Sequence, residues 1–274
     1  MSTAPLSPPT ATSIDAREVV ANLASIRARI DASAAGSGRD GSAVTLVAVS
    51  KTVALEQLRV LLATDAKAGA HLHDLGENRV QEATQKIAAL GRPPRWHLIG
   101  HLQQNKAKAA VGRFDLIHSV DSNSLAETLD RVAVELAVCQ RVLLQVNVAG
   151  EESKGGYTPD EVVAAAARLA LLPGLTIEGL MTIAPQGAVG AELRRVFAEL
   201  RGLHEHLAPV FMERGHHWQH LSMGMTDDFE TAIDEGATLV RVGRAIFGER
   251  PAPATTSAPP QGQSVTGRAP SSSE

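Results

Sequence analysis

The chain has 274 residues and a formal net charge of -4; 44% of the residues are hydrophobic but only 3% are aromatic. Burial must therefore come from Ala, Val, Leu and Ile, which suits repeated strand and helix units better than an aromatic-rich sandwich. Acidic and basic residues are interspersed, which excludes the basic footprint of a nucleic-acid binder, and no apolar run is long enough to cross a bilayer. Cys139 is the one cysteine and cannot pair within the chain, and the N-terminus has neither a basic start nor an apolar signal core. A reducing, cytoplasmic location is expected.

Residues 1–12 and 251–274 consist largely of Pro, Ser, Thr, Ala, Gln and Gly and are expected to be disordered tails. Between them, 13–250 is expected to form one domain of roughly 240 residues, close to the ~250 typical of a (β/α)8 barrel. The first helix is expected from an N-cap at Ser13, with Ile14, Val19, Leu23, Ile26 and Ile30 on one stripe. It precedes the first strand and is extra to the barrel.

Val44–Thr52, Val-Thr-Leu-Val-Ala-Val-Ser-Lys-Thr, reads as a strand buried on both faces, as in a parallel sheet. Lys51 sits where that strand runs out, just before a helical segment over Leu55–Ala66. Further strands are expected at Ala70–Leu75, Trp96–Ile99, Leu116–Val120, Arg141–Val148, Thr176–Thr182, Gln219–Met223 and Thr238–Val242. Between them helices are expected at Asn78–Ala89, Gln103–Val111, Ser124–Ala137, Pro159–Leu172, Ala191–Ala208 and Asp227–Glu235. Strict alternation predicts a parallel sheet, and eight units predict that it closes into a TIM barrel. Ser122 or Asn123 can cap one helix, Thr158 with Pro159 another, and Gly174 and Gly236 fall where helices should stop.

In such a barrel the chemistry lies just past the C-terminal ends of the strands, and phosphate is often held after strands seven and eight. Strand seven here delivers Ser222 with Met223-Gly224-Met225, and strand eight delivers Gly243-Arg244-Ala245. A hydroxyl and several N–H groups would converge on one dianion. A phosphate on one side of the mouth and a strand-end lysine on the other suggest pyridoxal phosphate, which carries both a phosphate and an aldehyde. At an ordinary pKa of ~10.4, fewer than about one lysine in a thousand is a neutral nucleophile at pH 7, so burial and nearby positive charge must activate it. Strand alternation puts Leu239, Arg241 and Gly243 on one face, so Arg241 faces the ligand if Gly243 does. A guanidinium can only donate, so it would keep a pyridine nitrogen unprotonated and the ring a weak electron sink.

Six segments then carry a resemblance: Ala48-Val49-Ser50-Lys51-Thr52, Gly76-Glu77-Asn78-Arg79-Val80-Gln81-Glu82, Trp96–Lys106, Leu180-Met181-Thr182, Leu221–Met225 and Val240–Gly248. In this order they resemble the pyridoxal phosphate homeostasis proteins, related in fold to the N-terminal barrel of alanine racemases. The resemblance implies a Schiff base on Lys51, phosphate held by Ser222 and the backbone of Gly243 and Arg244, Arg241 on the ring nitrogen, and Asn78 beside the cofactor. Met181, Met223 and Gly224 are further expected contacts. It also implies a carrier or regulator of intracellular pyridoxal phosphate, affecting vitamin B6 and amino-acid balance, without established turnover. Asn147, Glu151, Lys154 and Gly155 are expected to form a secondary or regulatory contact. One departure is Leu75, where many relatives have an aromatic residue before Gly76-Glu77-Asn78, and the proline-rich tail is not part of the family pattern.

A racemase on the same fold is the alternative reading. It wants a second proton carrier, and the chain has one tyrosine, Tyr157, with no second, β domain expected; a protein-bound water or His97 could otherwise serve as acid or base. His71 with His73, and His216, His217 with His220, lack the context of a strong zinc motif, so no metal is expected. Partners are expected to be the cofactor and apoenzymes that require it, and the protein is expected to act as a monomer.

Overall fold

The computed structural model describes residues 15–68, 72–92, 94–151 and 154–248; the expected tails lie outside the described residues. Eight strands, β1 (Thr45–Val49), β2 (Asp74–Glu77), β3 (Arg95–Leu98), β4 (Leu116–Val120), β5 (Gln140–Gln145), β6 (Leu175–Met181), β7 (His220–Ser222) and β8 (Leu239–Val242), follow one another around a closed barrel. All pairings are parallel, and β8 closes onto β1 with Thr45 opposite Leu239 and Val47 opposite Arg241. The chain is therefore a TIM barrel, with β1 buried along nearly its whole length as its unbroken apolar sequence predicts.

Helices α2 (Leu55–Ala68), α3 (Val80–Leu90), α4 (Ala107–Ala110), α5 (Asn123–Glu135), α6 (Pro159–Leu169), α7 (Gly190–Met212), α8 (Phe229–Asp234) and α9 (Arg244–Phe247) follow the successive strands, and α1 (Ala16–Gly36) precedes them all. On α1, Val19, Leu23, Ile26, Ile30 and Ala34 are buried at helical spacing, and the helix packs on α2, α8 and α9. Asn22 donates to the Ile246 carbonyl at 3.2 Å, and Arg29 lies 4.6 Å from the Phe229 ring centre. Thus α1 fastens the closing strand's helices to the barrel's start.

Helix starts follow local chemistry. Ser122 accepts from the Leu125 N–H, and Thr158 forms a reciprocal box with Glu161 ahead of Pro159. At Gly179, φ is +146° and an added Cβ would lie 1.9 Å from the His220 carbonyl oxygen, so only glycine lets β6 approach β7 there.

Five expectations shift at their ends. The first helix begins at Ala16 with Asp15 as its cap, because the Asp15 carboxylate accepts from Arg17 N–H; Ser13 and Ile14 lie outside the described residues. Strand β2 runs Asp74–Glu77 rather than Ala70–Leu75, since ladder pairing to β3 carries it through Gly76 and Glu77; Ala70 and His71 lie outside the described residues. Strand β5 ends at Gln145, because the Asn147 N–H turns to the Tyr157 carbonyl. The expected helix over Gln103–Val111 is a 3-10 turn, Gln104–Lys106, followed by the single turn of α4. Helix α7 runs past Ala208 and through Pro209, because Leu207 and Phe211 are buried beyond that point and Phe211 stacks on Trp218 at 4.4 Å.

Two apolar regions result. One lies between barrel and helices; the other is inside the barrel, where Val47, Leu116, Leu143, Met181 and Leu239 meet. Barrel interiors are usually filled by branched apolar side chains. Here that filling is interrupted by buried Asp74, His97, His118, Glu178, Ser222 and Arg241.

Candidate functional site

Lys51 is held by a turn rather than by the strand itself. The Val53 N–H closes onto the Ser50 carbonyl at 3.0 Å, and Thr52 sits at φ 73°, a left-handed conformation that costs a β-branched residue about 1–3 kcal/mol. The turn is anchored from below. Lys86 on α3 donates to the Ser50 carbonyl and to Glu77 Oε1, both at 2.8 Å, while Ser50 Oγ donates to the same carboxylate oxygen at 2.6 Å. Glu77 is fully buried and Lys86 nearly so. A buried ion pair of this kind repays its desolvation only with good geometry and extra hydrogen bonds, and Ser50 supplies one.

Lys51, Thr52, Val49, Gly243, Arg244, Phe247 and Gly248 line a cleft of about 340 Å³ at the C-terminal edge of β1 and β8. Gly243 forms its tight point: an added Cβ would lie 3.2 Å from Val49 Cβ. Helix α9 starts there, and a helix start leaves its first N–H groups without intrahelical acceptors.

Ser222 and Arg241 meet just inside the barrel. Arg241 Nη1 donates to Ser222 Oγ at 2.6 Å and Nη2 to the Thr182 carbonyl at 2.8 Å. Burial pushes the Arg241 guanidinium down to about 10, partly offset by Asp228, so it is still a cation at pH 7. Asn78 follows β2, half-buried, with its backbone against Gly100, where an added Cβ would come within 2.4 Å of the Asn78 carbonyl oxygen. Met181 belongs to the barrel interior, whereas Met223 packs between barrel and helices. Gly224 adopts φ +90° against Phe229 and Ala232, and its carbonyl accepts from Arg241 N–H.

The loop after β5 is organised by Asn147, whose Nδ2 donates to the Glu151 and Lys154 carbonyls and whose Oδ1 accepts from Glu151 N–H. Lys154 pairs with Glu151 and donates to the Ala184 carbonyl at 2.7 Å, and the Gly155 carbonyl accepts from Gln145. Tyr157 is buried, its phenol donates to Asn123 Oδ1 at 3.2 Å, and burial raises its ionisation above the usual tyrosine range.

His97, weighed above as an alternative proton carrier, lies inside the barrel on β3 and does not line the Lys51 cleft. Its Nε2 meets Asp74 Oδ1 at 2.8 Å and its Nδ1 meets His118 Nε2 at 2.9 Å. His216 is bound to the Ile177 N–H and the Ala170 carbonyl. Among the described residues no three His, Cys, Asp or Glu side chains converge as a metal-ligating set.

Sequence reasoning did not find Ser50, Lys86 or His118 as parts of the site. A lysine on an amphipathic helix carries no mark of burial. His118 was detectable, since an imidazole in the middle of the otherwise apolar Leu116–Val120 strand has to meet a partner.

The chain matches, over residues 14–251, the family model described as alanine racemase, N-terminal domain. It is 41% identical over 233 residues to the pyridoxal phosphate homeostasis protein of Pseudomonas aeruginosa, covering 85% of this chain and 96% of that one. It is 40% identical over 229 residues to the protein of the same name from Aquifex aeolicus, covering 83% and 96%. Among solved structures it resembles PipY of Synechococcus elongatus with PLP bound, at a TM-score of 0.71, 39% identity, and 84% and 100% coverage. Alanine racemase from Corynebacterium glutamicum shares the fold, at a TM-score of 0.64 and 18% identity over 87% of this chain and 63% of that one. The closed parallel barrel and the family match over nearly all of it thus place the chain in the class of the alanine racemase N-terminal domain. Within that class, the chain belongs to the pyridoxal phosphate homeostasis protein family.

Proposed function

We propose that this protein binds pyridoxal 5'-phosphate through a Schiff base on Lys51 and serves as a carrier in vitamin B6 homeostasis without catalytic turnover. The observation that carries this reading is the shared cleft of Lys51, Gly243 and Arg244, with the cation of Arg241 fixed inside the barrel. The residues fit the group: an amine for the aldehyde, a glycine-opened helix start and a hydroxyl for the phosphate dianion, and a donor-only cation for the ring nitrogen. When bound, the group supplies an aldehyde that condenses with the Lys51 amine with loss of water. Asn78 lies alongside, and Ser222, Gly243 and Arg244 hold the phosphate.

Arg241 keeps the ring nitrogen unprotonated, which weakens the ring as an electron sink and favours holding over turnover. A racemase would need a second proton carrier opposite Lys51. Buried Tyr157, with its phenol bound to Asn123 and its ionisation raised, does not fit that role, and neither does His97 inside the barrel. The Asn147–Gly155 loop is the proposed secondary contact through which release to apoenzymes is regulated. The protein acts as a cytoplasmic monomer in this reading.

The test is the absorption spectrum of purified protein with and without Lys51→Ala. A yellow Schiff-base band that borohydride fixes onto Lys51 is expected in the parent and absent from the variant. An unchanged band in Lys51→Ala contradicts the assignment, and steady formation of D-amino acid from L-alanine, L-serine or L-lysine contradicts the carrier role.

A further inference from the structure

A continuous hydrogen-bonded chain runs through the barrel from its N-terminal end to Arg241. Arg95 Nε and Nη2 donate to the two oxygens of Asp74 at 2.7 and 2.6 Å, Asp74 Oδ1 meets His97 Nε2 at 2.8 Å, and His97 Nδ1 meets His118 Nε2 at 2.9 Å. His118 Nδ1 then meets Ser222 Oγ at 2.8 Å, and Ser222 Oγ accepts from Arg241 at 2.6 Å. His118 is fully buried and His97 nearly so.

The inventory of donors allows this chain two polarities. A carboxylate can only accept, so with Asp74 ionised His97 carries its proton on Nε2. If His97 is neutral, its Nδ1 is an acceptor, and His118 must donate from Nε2. His118 Nδ1 is then bare and accepts a hydrogen bond from the Ser222 hydroxyl. Ser222 is left with nothing to donate elsewhere.

In the other polarity one more proton resides on the His97–Asp74 pair. His97 Nδ1 then donates to His118 Nε2, His118 carries its proton on Nδ1 and donates it to Ser222 Oγ, and Ser222 accepts from both His118 and Arg241. Its own O–H is released toward a ligand. A third arrangement, with His118 doubly protonated, is opposed by burial and by the neighbouring His97, Arg241 and His220.

We propose that Asp74, His97 and His118 are positioning residues that set the direction of the Ser222 hydroxyl, so that binding a phosphate monoester at Ser222 takes up one proton on the His97–Asp74 pair and flips the His118 tautomer. This rests on the reading of Ser222 as a phosphate contact. Besides Asp74 itself, the charged groups facing the pair from the surrounding strands are Asp115 and Glu178 against Arg95, Arg141 and Arg241, with His220 beside them. Two carboxylates against three guanidiniums leave the surroundings with one excess positive charge, which disfavours the added proton in the ligand-free protein. The arriving dianion favours it.

The experiment is imidazole nitrogen NMR of the full chain with and without pyridoxine 5'-phosphate, a probe that keeps the phosphate and ring but has no aldehyde for Lys51. The expected result is that His118 moves its proton from Nε2 to Nδ1 and His97 Nδ1 becomes protonated as the probe saturates. A parallel titration of Ser222→Ala is expected to bind the probe at least tenfold more weakly. If wild-type protein binds the probe while His118 and His97 keep their ligand-free protonation, the relay is overturned although the phosphate site stands. If Ser222→Ala binds as tightly as wild type, the phosphate reading of Ser222 fails and takes the relay with it.

Discussion

Lys51 owes its position to residues with no direct part in binding. Ser50 presents its carbonyl to Lys86 and Val53 and its hydroxyl to Glu77, so the turn under Lys51 is tied to α3 and to β2 at once. Removing the Lys86 charge leaves Glu77 buried and uncompensated. Lys86→Met is expected to cost about 3–5 kcal/mol in urea denaturation, and Glu77→Leu combined with it is expected to recover much of that loss. Additive losses in the double variant would show that the pair does not act as a unit. At this scale the candidate site was partly legible from sequence: Lys51, Gly243 and Arg244 do line one cleft, and Ser222 and Arg241 are in direct contact. The partners that orient them were not, because Lys86 lies 36 residues from Ser50 and His118 lies 104 residues from Ser222. No local pattern reports a contact at that separation.

Elements place these residues through ends rather than middles. The loop after β5 is bounded by the Val146–Tyr157 bridge on one side and by the start of α6 on the other, where Thr158 accepts from Glu161 N–H at 3.2 Å and Glu161 accepts from Thr158 N–H at 2.8 Å. Loss of such a cap typically costs ~1 kcal/mol. Thr158→Ala is expected to lower stability by about that amount in chemical denaturation while leaving the Lys51 cleft on the opposite strands unaltered; a loss beyond about 2 kcal/mol would mean the cap also holds the loop. Caps and turn glycines were readable in advance, since Ser122, Thr158-Pro159 and Gly236 act within a few residues of themselves. Element ends were less so: β2 was displaced toward Glu77 and α7 continued through Pro209, because ladder pairing and the burial of Phe211 outweigh local preference.

For the whole molecule, buried histidines couple stability to pH. Burial pushes His204 down to about 4, lowers His220 despite Glu178 nearby, and lowers His118 well below the usual 6.5. Each binds its proton less readily folded than unfolded, so the stability it contributes is complete above pH 6.5 and is lost as pH falls toward and through the folded value. The thermal midpoint is expected to drop steadily between pH 6.5 and about 4, and His204→Gln is expected to flatten that slope; an unchanged slope would remove His204 as a contributor. The amino-acid sequence by itself determined the eight alternating units, the lysine at the end of the first strand and the glycine-rich ends of the last two, because periodicity, caps and turns are local. Only the tertiary structure decided that His97 turns inward, that Lys86 goes under Ser50, and that Asp74, His97, His118, Ser222 and Arg241 form one chain. Barrel closure brings strands from distant parts of the sequence within hydrogen-bond reach around a single interior, and which polar groups meet there depends on the register of all eight.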